Sequence, residues 1–302
     1  MRRKWIWPIV YSFFLIGFTV YIALDTFVLE RAYVDLNEYG DIQIENADEK
    51  TEMPELTDVR ITEDSYEDDN IKIVLTTTRE LETNIYSADI QINNAQYLKT
   101  AFARNTYGKN ITETTSTIAK EVNAILAING DFYGVRESNY VIRNGKIYRD
   151  NVQKDHEDLV IYDDGRFETI KEGEITAEEL LKKGATNVLA FGPALIIDGK
   201  INVTKDQEVG VALASNPRTA IGMIDENHYV FVVGDGRTDE SKGLSLYELA
   251  EVMSKLGVKT AYNLDGGGSS TLVFNGTVIN KPTHMGDVIE ERSVSDIIYI
   301  GY

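Results

Sequence analysis

The segment Asn263-Leu264-Asp265-Gly266-Gly267-Gly268-Ser269-Ser270 joins a carboxylate to three glycines and two hydroxyls at the end of an apolar run. Three consecutive glycines forfeit backbone entropy, so they belong where side chains have no room. A glycine-rich turn can aim backbone N–H groups at an anion, and Ser269 and Ser270 add hydroxyl donors. The turn lacks the Gly-Lys-Ser/Thr ending of a Walker A loop. A strand rather than a helix is expected after it, which argues against a dinucleotide fingerprint. The plain alternative is a flexible hairpin loop.

Four more segments carry reactive groups at expected strand ends. Asn216-Pro217-Arg218 opens a strand with a guanidinium able to grip a phosphate through two parallel hydrogen bonds. Gly234-Asp235-Gly236-Arg237 supplies a carboxylate and a second arginine. Asn129-Gly130-Asp131-Phe132-Tyr133 ends a buried strand in an amide, a carboxylate and two aromatics, groups that bond sugar hydroxyls and stack on pyranose rings. Glu290-Glu291-Arg292-Ser293 precedes the last strand. Singly, each reads as a surface arginine, an Asp-Gly turn or a solvated charge run. Together they gather at strand ends, where sites are assembled.

The elements that must position them follow from periodicity and turn chemistry. Strands are expected at 71–75, 83–92, 97–104, 125–129, 140–142, 146–148, 159–162, 188–191, 194–197, 218–224, 229–233, 259–264, 271–274 and 295–300. Asn144-Gly145 and Asp164-Gly165 read as hairpin turns. Helices are expected at 112–123, after the capping box Thr176…Glu179, and at 245–256. In the last, Ser245 and Glu248 form a capping box, Leu246, Leu249, Ala250, Met253 and Leu256 form an apolar face, and Gly257 is the stop. The pattern predicts an α+β domain over residues 70–302: a mixed sheet with flanking helices.

Residues 5–24 are uncharged and long enough to cross a bilayer as one helix. Arg2, Arg3 and Lys4 precede them, so this end is expected in the cytoplasm and the rest outside, giving a single-pass membrane protein with an extracytoplasmic domain. The competing reading is a cleaved signal peptide, for which Ala23-Leu24-Asp25 is a poor cleavage site. Residues 25–69 read as an acidic stalk, with a short helix near 25–39 and a solvated, disordered run Glu63–Asp69.

The formal net charge of −19, with no basic stripe, excludes nucleic acid as the natural partner. An enzyme acting on a phosphorylated polymer must then concentrate its arginines locally. With no cysteine, thiolate nucleophiles and cysteine zinc sites are excluded, and His156, His228 and His284 lack zinc-motif spacing.

The ordered motifs Asn-Gly-Asp-Phe, Asn-Pro-Arg-Thr-Ala-Ile-Gly, Gly-Asp-Gly-Arg, Gly-Leu-Ser-Leu-Tyr-Glu-Leu-Ala and Asn-Leu-Asp-Gly-Gly-Gly-Ser-Ser-Thr resemble the phosphodiester glycosidase family over about residues 120–302. This is the domain of the uncovering enzyme, N-acetylglucosamine-1-phosphodiester α-N-acetylglucosaminidase, and of bacterial exopolysaccharide-biosynthesis-type relatives. One departure is Glu290-Glu291-Arg292 where relatives often carry Gly-Glu-Arg.

The resemblance implies hydrolysis of a sugar-1-phosphodiester on a cell-surface or wall glycopolymer. It places Asp131, Arg218, Asp235, Asp265, Ser269 and Glu291 in the site. Of the carboxylates, Asp265 or Asp131 is expected as base or nucleophile, with Asp235 and Glu291 in support. The phosphate is assigned to Arg218, Arg237 and the Gly266, Gly267, Gly268, Ser269 and Ser270 turn, and Asn129 and Arg292 join them in binding the substrate. No cofactor is expected to be required. A Ca²⁺ or Mg²⁺ ion held by Asp131, Asp235 and Asp265 is the alternative left open, which would make the protein a metal-dependent phosphodiesterase. A non-catalytic module binding anionic polysaccharide is the third reading.

Overall fold

The computed structural model describes residues 6–39, 58–207, 215–284 and 288–302. The basic tip 1–5 and residues 40–57 of the expected stalk lie outside the described residues.

The domain is mostly sheet. A nine-stranded sheet runs, in spatial order, Lys200–Ile201, Ala194–Ile197, Thr260–Asn263, Arg218–Asp225, His228–Gly234, Thr83–Ile92, Ile71–Glu80, Ser65–Glu67 and Arg60–Ile61. A five-stranded sheet runs Thr277–Val278, Leu272–Phe274, Leu126–Asn129, Asp296–Ile300 and Leu98–Phe102. A second one runs Lys146–Asn151, Asn139–Arg143, Ala185–Leu189, Glu157–Tyr162 and Phe167–Lys171.

All of these strands pair antiparallel, so the expected mixed sheet is corrected: hairpins join Arg218–Asp225 to His228–Gly234 and Ile71–Glu80 to Thr83–Ile92, and longer returns bring the other strands in antiparallel as well.

Alternation along the strands sorts the core into two layers. Tyr86, Ala88 and Ile90, with Tyr229, Phe231 and Val233, face the five-stranded sheets, meeting Leu126, Ile128, Leu272, Ile298 and Leu159. Ile85, Val230 and Val232 face the other way, onto the helix Leu246–Lys255. That helix begins at the expected capping box, with both reciprocal bonds between Ser245 and Glu248 formed. Leu246, Leu249 and Met253 are fully buried beneath it, each contributing roughly 1.5–3 kcal/mol relative to exposure. Leu256, expected on the same face, is the C-cap and stays exposed.

The capping box of Thr176 and Glu179 is also formed, ahead of Ala177–Lys182, and the helix expected at 112–123 spans Thr115–Glu121.

The N-terminal region departs from expectation in two places. The helix Ile6–Phe27 is followed not by a helix but by the strand Arg31–Asp35, which pairs with Thr106–Lys109 of the domain, with a short helix Leu36–Tyr39 after it. The acidic run 63–69 contains the strand Ser65–Glu67. Its carboxylates are held locally, Asp68 accepting from the hydroxyls of Tyr66 and Tyr302, each at 2.6 Å, which offsets the charge density that suggested disorder.

Candidate active site

The site forms where strand ends of two sheets converge. Strand register sets Ala220 opposite Asn263, which brings Arg218 to the level of Asp265 two residues further out. The ladder continues past the strand, with Leu264 N donating to Thr219 O (2.9 Å) and Gly267 N to Pro217 O (2.8 Å). Asn129 locks the second sheet to this edge. Its Nδ2 donates to Asp265 O (2.7 Å), while its Oδ1 accepts from Thr219 Oγ1 (2.9 Å) and Thr271 N (3.3 Å). Asn129 is fully buried, so its amide holds the junction together and does not face solvent.

The glycines serve arginines. A Cβ on Gly266 would lie 2.8 Å from Pro217 O and 3.9 Å from Arg218 Cδ. Gly267 has φ +62°, and a Cβ there would meet Arg237 Nη2 at 2.8 Å. One on Gly268 would press on His284 and on Arg292 Cβ. Three guanidinium-bearing segments therefore close on one turn.

Arg218 is buried and donates from Nε to Leu244 O (3.0 Å). Arg237 donates from Nε and Nη2 to Asn216 Oδ1 (3.3 and 3.1 Å). Burial, and then the Arg292 charge, pull the Arg237 guanidinium below its usual value. Two cations that repel each other across a glycine turn favour an anion between them.

Asp265 is 8% exposed at the edge of this cluster. Its Oδ2 accepts from Ser269 Oγ (2.7 Å) and Arg292 Nη2 (3.0 Å). Arg292 also donates from Nε to Ser269 Oγ (2.9 Å) and from Nη2 to Gly266 O (3.1 Å). Burial raises the Asp265 carboxyl above its ordinary range, against the pull of Arg292 and Ser269. Ser270 Oγ is buried and has no partner among the described residues.

The other expected carboxylates each have partners within the fold. Asp131 is 2% exposed; its oxygens accept from Tyr133 N (3.1 Å) and Ala190 N (2.8 Å), and it pairs with Arg143 Nη2 at 2.9 Å. Arg143 also pairs with Asp296, at 2.8 Å. Burial alone would raise Asp131, but Arg143 and the Ala190 amide outweigh it and hold it below its ordinary value. Burial, reinforced by the charge of Asp131, pushes Asp296 up to about 8 against Arg143.

Asp235 accepts from Tyr86 Oη (3.1 Å), Asn280 Nδ2 (3.1 Å) and Lys281 N (3.0 Å), and Asn280 in turn donates to Ser270 O (2.9 Å). It buttresses the exit of the glycine turn. Burial raises its carboxyl, opposed by those bonds. Glu291 caps the helix Thr115–Glu121, accepting from Ser116 N (3.0 Å) and from the Ser116 hydroxyl.

Arg218, Arg237, Arg292, Asp265 and the 266–270 turn thus share one place, with Asn129 bonded to Asp265, Asp235 to the turn through Asn280, Asp131 to Arg143 and Glu291 to Ser116. Sequence reading missed Arg143 and Asp296, whose only signal is a charge at the end of a mostly apolar strand.

For a metal, the three aspartates each have their own donors. Among the described residues one group has ligand spacing: His156, Asp158 and Glu172, with potential ligand atoms within 4.8 Å of one another. Sequence spacing did not suggest it, because hairpin pairing brings Glu172 back to His156, Glu172 N donating to His156 O at 2.9 Å.

The model of the family described as phosphodiester glycosidase matches residues 122–301. The chain is 32% identical over 203 residues to the SPbeta prophage-derived uncharacterized protein YomE of Bacillus subtilis, covering 65% of this chain and 31% of that one. It is 28% identical over 207 residues to mouse N-acetylglucosamine-1-phosphodiester alpha-N-acetylglucosaminidase, covering 62% and 39%. It therefore spans about a third of the length of these relatives. The catalytic domain of the zebrafish N-acetylglucosamine-1-phosphodiester alpha-N-acetylglucosaminidase, auto-inhibited by its pro-peptide, superposes with a TM-score of 0.60 at 21% identity, covering 77% of this chain and 83% of that one. A hypothetical protein from Synechocystis superposes at 0.54 and 15% identity, covering 77% and 62%. With the family model matched across more than half of its length, the chain belongs to the phosphodiester glycosidase family.

Proposed function

We propose that this chain hydrolyses a sugar-1-phosphodiester by breaking the bond between C1 and the phosphate oxygen. The observation that carries this is Asp265, tied to Arg292 through Ser269 on the turn that Arg218 and Arg237 also approach. Mammalian relatives carry N-acetylglucosamine-1-phosphodiester in their names, which makes that sugar the first substrate to try.

Water adds to C1, and the phosphate leaves as a monoester. Its second pKa of about 6 makes it a far better leaving group than an alcohol. Protonating the leaving group then matters less than neutralising its charge, which suits a site with three arginines. Arg237 and Arg292 face the departing phosphate, and Arg218 fixes the turn from below. Asp265 serves the anomeric carbon as base or nucleophile and stabilises the oxocarbenium-like transition state. Asp131, held by Arg143 and two amides, positions the loop that carries it. Asp235 positions the far end of the glycine turn.

The helix Ile6–Phe27 is 22 residues, about 33 Å, and apolar with no burial against the domain, which supports a membrane anchor. On that reading the domain faces phosphodiesters outside the cell.

Hydrolysis of an N-acetylglucosamine-1-phosphodiester in ¹⁸O-water tests the bond broken. The expected result is label in the sugar. Label in the phosphate would replace this reading with attack at phosphorus.

A further inference from the structure

The N-terminal helix is joined to the domain almost without slack. It ends at Phe27, and the strand Arg31–Asp35 is already paired with Thr106–Lys109. Asn110 Nδ2 donates to Thr26 O (3.3 Å) and Leu29 O (3.0 Å), and Arg104 pairs with Glu30 (2.9 Å). Asn37 bonds back to Arg104 O (3.3 Å) and to Asn105 (3.0 Å). The three residues between helix and strand span at most about 11 Å. Whatever surface the helix emerges from, the domain sits against it.

Beside this junction lies a groove of about 460 Å³. Tyr33 of the tether strand, 56% exposed, forms one wall, and Tyr107, Tyr133, Tyr148, Arg136 and Arg149 form the other. Tyr107 and Tyr133 stack, with centroids 5.3 Å apart and planes at 19°. Arg149 donates to the carbonyls of Asn139 (2.9 Å) and Tyr133 (3.1 Å), and Arg136 lies 5.3 Å from the Phe191 ring centroid.

Neither guanidinium forms an ion pair among the described residues; Glu137, which also lines the groove, pairs with Lys109 at 3.0 Å. The exposed ring of Tyr33 and the half-buried ring of Tyr148, beside these cations, suit a sugar carrying phosphate, while the stacked Tyr107 and Tyr133 are themselves buried. Tyr133 follows Gly130 by three residues, at most about 11 Å of backbone, and Gly130 O accepts from Asp265 N (3.3 Å) at the start of the glycine turn.

We infer that the substrate is membrane-borne: a lipid phosphate esterified to C1 of the sugar, with its phosphate at Arg237 and Arg292, its anomeric carbon at Asp265 and its sugar directed toward the Tyr33–Tyr148 groove. This rests on the hydrolytic reading above and on the helix as anchor. The C1–O bond breaks, water oxygen bonds to C1, and the lipid phosphate monoester stays in the membrane. A short tether holds enzyme and substrate in the same layer, which raises their effective concentration.

The test uses the full chain in liposomes with two esters of N-acetylglucosamine-1-phosphate, one on a long alkyl chain in the same bilayer and one on ethanol in solution. A second protein carries a flexible Gly-Ser insertion of about 20 residues after Val28, which lets the domain drift by about 25 Å. The expected result is a kcat/KM for the long-chain ester at least roughly tenfold above the ethyl ester, with most of that advantage lost on insertion. Turnover of the ethyl ester stays the same in both proteins. In the intact chain, Tyr33→Ala raises KM for the long-chain ester.

Equal kcat/KM for the two esters, or an advantage that survives the insertion, would overturn the membrane-borne substrate and leave the hydrolytic reading standing. An unchanged KM in Tyr33→Ala would overturn the groove's part in it. Cleavage of neither ester would overturn the hydrolytic reading itself.

Discussion

Arg292 reaches the Asp265 carboxylate at 3.0 Å and shares the Ser269 hydroxyl with it, so one guanidinium both orients and tunes this acid. Burial raises Asp265, and Arg292 opposes the rise. If ionised Asp265 does the work, kcat/KM climbs with pH through the Asp265 pKa, above the ordinary carboxylate value of about 3.9. Removing the cation removes a lowering influence, so Arg292→Ala moves this acid limb to higher pH. It also cuts kcat by roughly 10²–10³, the scale of a lost electrostatic group. The pH–rate profile of the two proteins checks both effects.

Arg237 tests the phosphate clamp apart from Asp265, since it bonds to Asn216 and the residue as a whole is exposed although its guanidinium is partly buried. Arg237→Ala should leave thermal stability within about 0.5 kcal/mol of the parent, as an exposed substitution does. Activity should fall more than tenfold, while the acid limb keeps its position. Gly267→Ala should be worse for folding, because the residue sits at φ +62° against Arg237. The loss in denaturant melts should exceed about 1 kcal/mol.

The buried trio Asp131, Arg143 and Asp296 carries a pH signature of its own. Asp296 is raised to about 8 in the folded protein, so the folded state holds a proton that the unfolded chain releases near pH 4. Its contribution is complete below about pH 4 and is lost as pH rises toward 8. Asp131 is lowered, so its contribution is present at neutral pH and lost only in acid. Asp296→Asn should flatten the decline in stability between about pH 4 and 8 in urea melts. Arg143→Met strands two buried carboxyls and should cost roughly 3–5 kcal/mol.

Glu291 has a structural partner that its expected catalytic part can be weighed against. Its carboxylate caps the helix Thr115–Glu121 through Ser116. Glu291→Ala should lower stability by about 1 kcal/mol, as a lost cap does, with kcat within a few-fold of the parent. A thousandfold loss of kcat in a folded variant would return Glu291 to the chemistry.

Local chemistry made much of this fold legible. Ser245 with Glu248, and Thr176 with Glu179, set helix starts because a capping box is read within four residues. The glycine turn was legible as a place without side chains, though not as a place where three arginines press. That depends on Pro217, Arg237 and Arg292, which reach it from distant parts of the chain. Strand direction was not legible, because periodicity carries no information about pairing partners. Nor was the fate of Asp131, whose Arg143 lies on another strand. Net acidity suggested a stalk, but Arg31–Asp35 and Ser65–Glu67 found edges to pair with.

The most direct measurement is steady-state hydrolysis of an N-acetylglucosamine-1-phosphodiester by the full chain and its Asp265→Asn variant, with circular dichroism to establish that both are folded. The substituted amide keeps the shape of the carboxylate and loses its charge, so kcat should drop by roughly 10³ or more with KM little changed. Turnover near that of the parent in a folded Asp265→Asn protein would contradict the assignment of the anomeric carbon to this carboxylate.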